Sequence, residues 1–312
     1  MTTSRTAETR QPQDACFGGA ADRAAFADAS ASLTNALTID VEDYFQVHAF
    51  AGAVQRQQWE TLPGRVEANT GTFLDLLAEG GAHATFFVLG WVAERHPGLI
   101  RRIVEDGHEL ASHGWEHTHV HRQTPEQFRA DIRRTKALLE DLGGAPVTGY
   151  RAASFSIDES TPWAHEILAE EGHRYSSSIY PIRHDHYGTA DAPRFPYRPR
   201  GTAGVVEVPI TTVRLFGRNF PCGGGGYFRL LPYPASRWLM RRVNGSDRQP
   251  CIFYCHPWEF DPRQPRVANV GLKSRFRHYV NIGRMADRLR MLLDEFAWDR
   301  MDRVFQSDIE RL

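Results

Sequence analysis

The sequence predicts an α/β protein built on a parallel sheet, and three observations carry that expectation. Strand-like and helix-like segments alternate through the first 180 residues. The strand-like segments are short apolar runs of the kind that a sheet buries. Polar residues recur where those runs end, at Asp40, His113, Arg151 and His256. In a β/α barrel, that end of the strands carries the site.

The elements follow in order. "ALTIDVEDYF" reads as a buried strand whose end opens into acids. Residues 66–80 carry Val66, Phe73, Leu74 and Leu77 at helical spacing. "HATFFVLG" is a second strand. Pro97 opens the helix "PGLIRRIVEDG", which Gly107 closes. "HELASH" is a third strand. Thr124-Pro125-Glu126-Gln127 is a capping box with proline at the first helical position, and it predicts a helix to about Gly143. "TGYRAASFS" is a fourth strand with its loop. A helix over 161–171 and the strand "RYSSSIY" come next. Beyond a Pro- and Arg-rich loop at 183–204, "VVEVPITTVRL" and "CIFYCHPWEF" are strands separated by Gly223 to Gly226. One last amphipathic helix is expected over about 273–296.

The chain has 312 residues, a formal net charge of -1 and 41% apolar residues. It has no internal repeat and no flexible linker, so residues 35–312 read as a single domain. Residues 1–34 carry few large apolar side chains and are expected to be disordered. The near-neutral balance excludes an electrostatic case for nucleic acid. Arg241-Arg242 and the run Arg284 to Arg290 read as solvated helix faces. Arg5 and Arg10 precede no apolar segment, so no secretion signal or membrane span is expected, and the expected location is cytoplasmic. The four cysteines, Cys16, Cys222, Cys251 and Cys255, form no CxxC pair. Cys251 and Cys255 stand about 13 Å apart if "CIFYC" is a strand, too far for a disulfide, so reduced thiols are expected.

The chemistry concentrates in two places. "LASHGWEHTHVH" holds His113, His117, His119 and His121. If the chain enters a helical turn there, His113 and His117 share a face and can grip one divalent ion. Such a pair alone more often means surface or core histidines. "DVED" adds Asp40, Glu42 and Asp43 at a strand end. Three carboxylates so close need a cation or water to stay charged, unless they serve a turn or a helix N-cap. The combination is far more specific than either part.

In this order, "TIDVED", "TFFVLGW", "GHELASHGWEH", "YRAASFS" and "FYCHPWE" resemble the polysaccharide deacetylases of the NodB-homology, carbohydrate esterase 4-like kind. Within these, the chain is most similar to the subgroup found with exosortase/PEP-CTERM exopolysaccharide loci. The resemblance covers about residues 35–296. It implies a distorted (β/α) barrel of fewer than eight repeats. The core would span about 35–260, interleaved with a subgroup-specific C-terminal extension over about 190–312.

The resemblance further implies one divalent metal, Zn²⁺ or another first-row ion such as Co²⁺, held by His113, His117 and one acid. Strand alternation puts Glu42 on the side of Asp40 and favours it, with Asp43 the alternative if the chain turns. By the same resemblance Asp40 is the catalytic base, His256 the general acid, and Arg151 the group that orients Asp40. The substrate implied is an N-acetylhexosamine unit of a polysaccharide or its precursor. The rival readings are hydrolysis of another amide or ureide, or a catalytically weak carbohydrate-binding protein. Trp115, Tyr227 and Trp258 are candidates to line a saccharide groove, and the glycine run to let backbone approach a ligand. His119 and His121 are expected to be loop residues. The chain departs from the family pattern at Ala153, where proline is usual, and at Ser176, where close relatives tend to carry aspartate.

Overall fold

A computed structural model describes residues 33–184, 188–202 and 204–311. The segment expected to be disordered, up to residue 32, and Cys16 lie outside the described residues. The strands are β1 (Thr34–Val41), β2 (Thr85–Val88), β3 (Glu109–Ser112), β4 (Gly149–Tyr150), β5 (Tyr175–Ser176), β6 (Val206–Glu207), β7 (Thr212–Leu215), β8 (Arg218–Pro221), β9 (Ile252–Cys255) and β10 (Ala297–Asp299). The helices are α1 (Val66–Glu79), α2 (Gly90–Arg95), α3 (Pro97–Glu105), α4 (Pro125–Gly143), α5 (Ala164–Glu170), α6 (Gly225–Leu230), α7 (Tyr233–Arg242), α8 (Leu272–Tyr279), α9 (Met285–Glu295), α10 (Met301–Val304) and α11 (Gln306–Glu310).

Strands β1 to β6 lie side by side in chain order, all parallel. β9 and β10 return to the other side of β1, also parallel. No pairing joins β6 to β9 or β10 among the described residues, so the curled sheet stays an open, distorted barrel. β7 and β8 form a separate antiparallel hairpin.

Strand alternation sorts the core into two layers. Leu37, Ile39, Val41, Phe86, Val88 and Leu110 join the cluster between sheet and helices. Ala36, Phe87, Ala111, Ile252 and Tyr254 belong to the inner cluster. Local chemistry fixes the helix ends. Thr124 accepts from the Gln127 N–H while Gln127 accepts from the Thr124 N–H, closing the capping box that starts α4. At the end of α3, Gly107 at φ +83° lets its own N–H reach Val104 and the His108 N–H reach Ile103.

The carboxy-terminal part departs from expectation. The single helix expected over 273–296 is two, α8 and α9, broken where Asn281 takes φ +52° and Ile282–Arg284 form a 3₁₀ turn. "VVEVPITTVRL" divides into β6 and β7. The glycine run does not hold backbone against a ligand. A Cβ on Gly223 would stand 2.2 Å from the Ile252 carbonyl oxygen, one on Gly224 2.8 Å from the Tyr254 ring, and one on Gly225 2.1 Å from Glu259. Three of the four glycines therefore let α6 press against β9 and the segment after it. Only Gly226 has open space, and it lines a cavity. Cys222, Cys251 and Cys255 are buried free thiols, and burial raises their pKa values.

Candidate active site

Parallel strands deliver their C-terminal ends to one edge of the sheet, and the candidate residues gather there. Glu42, His113 and His117 bring one ligand atom each to within 4.8 Å of one another. His113 follows β3, and its Nδ1 lies 2.8 Å from the Arg151 carbonyl oxygen. As a donor there, Nδ1 leaves the Nε2 lone pair for a metal. His117 Nε2 stands 3.1 Å from Glu42 Oε2.

The expected helical turn is absent. Gly114 at φ +75° and His117 at φ +58° bend a loop that returns His117 to the site. A loop with two left-handed residues replaces i,i+4 helical spacing. The strain at His117 is tolerated for a polar residue that the surroundings hold in place.

The donor set fits a divalent cation. Glu42 Oε2 is buried and accepts no hydrogen bond, so an acceptor lies without a donor beside two imidazoles. Burial holds His113 below its usual pKa and His117 well below, which keeps both neutral and able to ligate. Burial, with the charges of Asp40 and Glu259, pushes Glu42 up to about 7 when no cation is present. Carboxylate and imidazole are the ligands that suit zinc and its neighbours.

Asp43 does not join the three. Its carboxylate accepts the N–H groups of Tyr44, Arg65 and Val66. It therefore holds the strand-to-loop turn and the start of α1, as an N-capping acid does. The alternative of Asp43 as the ligating acid is corrected on this ground.

Two ion pairs flank the three candidate ligands. Arg151, fully buried, reaches Asp40 Oδ1 at 2.6 Å and Thr38 Oγ1 at 2.9 Å, with its remaining donors on Ser177. Burial opposes ionisation of Asp40. The Arg151 charge and hydrogen bond, with the His256 imidazolium, overcome it and hold Asp40 below the ordinary carboxylate value. His256 follows β9. Its Nε2 stands 3.5 Å from Glu42 and 4.0 Å from Asp40, and its Nδ1 2.8 Å from Glu259. Burial works against the imidazolium, but the Glu259 hydrogen bond and three carboxylates raise His256 to about 9. Glu259 in turn meets the buried Arg229, whose other donors go to the carbonyls of Arg277, His278 and Val280.

Sequence reasoning missed Glu259 and Arg229. The spacing of His256 and Glu259, three apart in "HPWE", was the available signal. Nothing local marks Arg229. Ser176 bonds Ser178, whose hydroxyl accepts the Ala152 N–H, so the hydroxyl that holds Arg151 is that of Ser177. Ala153 lies buried in a short 3₁₀ turn after Arg151.

The aromatic candidates divide. Trp258 donates to Glu42 at 3.3 Å and stacks between His256 and His278. With Tyr227, Tyr254, Phe276 and Leu230 it lines a cavity of about 280 Å³. Trp115 lies elsewhere. It packs on Gly90, where a Cβ would come within 2.4 Å of its ring, and Arg134 covers its face. Its assignment to a saccharide groove is corrected: the indole closes the α2–α4 side of the loop. A second cavity, of about 370 Å³, reaches His117 and His119. Both cavities share Val47 and His48. His119 is buried, which pushes its pKa down to about 3, and it packs beside His48 rather than in the cluster of three.

The polysaccharide deacetylase family pattern matches residues 58–175, and that of a domain of unknown function, DUF3473, matches residues 177–306. A peptidoglycan-N-acetylglucosamine deacetylase of Listeria monocytogenes is 38% identical over 76 residues, covering 24% of this chain and 16% of that protein. A chitooligosaccharide deacetylase of Rhizobium leguminosarum bv. trifolii is 41% identical over 70 residues, covering 22% of this chain and 33% of that protein. The chain thus matches a third or less of the length of these two relatives. The crystal structure of a putative polysaccharide deacetylase from Mycobacterium smegmatis has a TM-score of 0.61 at 20% identity, covering 90% of this chain and 92% of that one, which shows a shared fold. His113, His117 and Arg151 fall inside the segment that matches the polysaccharide deacetylase pattern.

Proposed function

We propose that the protein is a metal-dependent N-deacetylase acting on N-acetylhexosamine units of a polysaccharide or its precursor, of the exopolysaccharide-associated subgroup. One observation carries the reading. A Glu42–His113–His117 donor set lies against an acid held ionised by Arg151 and an imidazolium held protonated by Glu259. Amide hydrolysis needs a base for the attacking water and an acid for the departing amine. The two relatives named above act on N-acetylated sugars according to their names, which supports the substrate class.

A divalent cation on Glu42, His113 and His117 supplies Lewis acidity for the amide carbonyl and for water. Asp40, kept ionised by Arg151, takes the proton of the attacking water. Arg151 also fixes the carboxylate through its bond to Oδ1 and leaves Oδ2, on the His256 side, to receive that proton. His256 gives the Nε2 proton to the leaving nitrogen, while Glu259 holds Nδ1–H and so fixes the ring. Trp258 and Tyr227 offer flat apolar faces on which a sugar ring stacks.

The test is acetate release from N-acetylglucosamine oligomers by metal-stripped protein, by protein with zinc or cobalt restored, and by His113→Ala. Release that depends on metal and is absent in the variant is the expected result. No release from any acetylated sugar by protein holding one equivalent of metal overturns the reading and moves the weight to another amide substrate.

A further inference from the structure

Arg151 touches two parts of the site at once. Its guanidinium reaches Asp40 Oδ1 at 2.6 Å, and its carbonyl oxygen lies 2.8 Å from His113 Nδ1. One residue thus orients both the candidate base and a candidate metal ligand. What holds Arg151 is a short bend where the chain leaves β5. Ser177 accepts the Arg151 Nε–H on its carbonyl at 3.2 Å and an Nη2–H on its hydroxyl at 3.1 Å. The next hydroxyl, that of Ser178, accepts the Ala152 N–H at 2.9 Å. The Ser177 N–H in turn donates to the Tyr150 carbonyl at 2.9 Å.

Glu207, in β6, stands behind this bend. Strand alternation turns Val206 and Val208 into the inner cluster. It sends Glu207 to the helix side, where Val205 packs with Ala164, Ile167 and Leu168. The Glu207 side chain is fully buried there. An apolar residue would fill such a place without the cost of desolvating a carboxyl group. The carboxyl group meets three partners. Oε1 accepts the N–H groups of Ser178 and Ile179, both at 2.8 Å, and Oε2 lies 2.9 Å from His165 Nε2 on α5. Two consecutive N–H groups converging on one oxygen set the direction in which the chain turns. They are also groups that a chain leaving a sheet would otherwise bury without a partner.

We infer that Glu207 is a positioning residue for the site. Its Oε1 sets the bend at 177–179, the bend sets Arg151, and Arg151 sets Asp40 and His113. The hold on Arg151 stands on the hydrogen bonds alone. Its consequence for turnover rests on the deacetylase reading.

The experiment compares the full chain with Glu207→Gln, Glu207→Asp and Ile167→Ala. Glutamine keeps an oxygen at the same reach. Aspartate keeps the carboxyl group but is one methylene shorter. Ile167→Ala empties a core position in the same layer, so it lowers the melting temperature without touching these bonds. Two quantities are read: the Arg151 Nε–H signal in the ¹⁵N NMR spectrum, and kcat and KM for acetate release from N-acetylglucosamine oligomers. The parent protein is expected to show a slowly exchanging Arg151 Nε–H. Glu207→Asp should lose that protection and lower kcat about 10–100-fold, the range for partners that stand behind a site group, with KM unchanged. Glu207→Gln and Ile167→Ala should keep both. Ser178→Ala, which cuts the bond to the Ala152 N–H and leaves Glu207 intact, should weaken the signal and kcat in the same direction, and it serves if Glu207→Asp does not fold. A protected Nε–H in both Glu207→Asp and Ser178→Ala overturns the inference. So does a kcat that falls no further in Glu207→Asp than in Ile167→Ala, because activity would then follow stability alone. Equal damage by Glu207→Gln and Glu207→Asp also overturns it, since the charge rather than the reach would then matter. Absence of acetate release by the parent protein counts against the deacetylase reading instead, and the Arg151 signal then decides the positioning role.

Discussion

The two ends of the chain build the same site by different means. In the amino-terminal half, regular strands carry the residues. Glu42 lies one residue beyond β1, His113 one beyond β3 and Arg151 one beyond β4. Their positions follow from a ladder of parallel backbone pairing that fixes register. In the carboxy-terminal half, β9 is equally regular, but what surrounds it is not. His256 is held by Glu259, Glu259 by Arg229, and Arg229 by three carbonyls at and beyond the end of α8. That half positions through a chain of charges and hydrogen bonds rather than through a sheet. The first arrangement suits groups that must converge on one point. The second suits a group whose proton affinity must be set.

The difference can be broken or sharpened by substitution. The largest effect is expected in the amino-terminal half. Asp40→Asn should lower kcat/KM for acetate release by about 10²–10⁴-fold, the range for loss of a general base, while zinc content stays at one equivalent. Loss of metal along with activity would mean that Asp40 belongs with the ligands. Next comes Glu259→Gln in the carboxy-terminal half. The proposed reaction needs His256 protonated, and Glu259 is the foremost cause raising it to about 9. The alkaline limb of the pH profile should therefore move to lower pH, with metal content unchanged. A limb that stays in place would contradict the role given to this pair.

Smaller effects separate packing from chemistry. Gly225→Ala would drive a methyl to 2.1 Å from Glu259. It should cost about 1–3 kcal/mol of stability, as overpacking does, whereas Gly226→Ala, with open space, should leave the melting temperature nearly unchanged. Equal melting temperatures would refute the account of the glycine run. The smallest effect belongs to Ser177→Ala. It removes one hydroxyl acceptor from Arg151 and should cost about 1 kcal/mol, read by denaturant unfolding.

This asymmetry also explains what the sequence made legible. Strands ending in polar residues announced β1, β3, β4 and β9, because a buried strand and its terminal residue are adjacent in the chain. Alternation favoured Glu42 and left Asp43 open, and the structure adds the reason that Asp43 turns away: it caps α1, which begins more than twenty residues later. Histidine spacing pointed to His113 and His117 but suggested the wrong backbone, since a left-handed loop residue leaves no periodic trace. Trp115 sat between the candidate ligands in sequence and was drawn toward the site, yet Gly90 offers it a seat elsewhere. Arg229 and Glu259, thirty residues apart, could not be paired from the chain alone. The break between α8 and α9 rests on one left-handed asparagine inside an amphipathic pattern that reads straight through it.

The central claim is that Glu42, His113 and His117 hold one metal ion while Asp43 does not. The most direct measurement is the anomalous difference map of crystals grown with zinc, with binding stoichiometry in solution for Glu42→Ala and Asp43→Ala. The account predicts one strong peak among Glu42, His113 Nε2 and His117 Nε2. It predicts loss of the bound equivalent in Glu42→Ala and its retention in Asp43→Ala. A peak ligated by Asp43, or by His119 and His48, would contradict it.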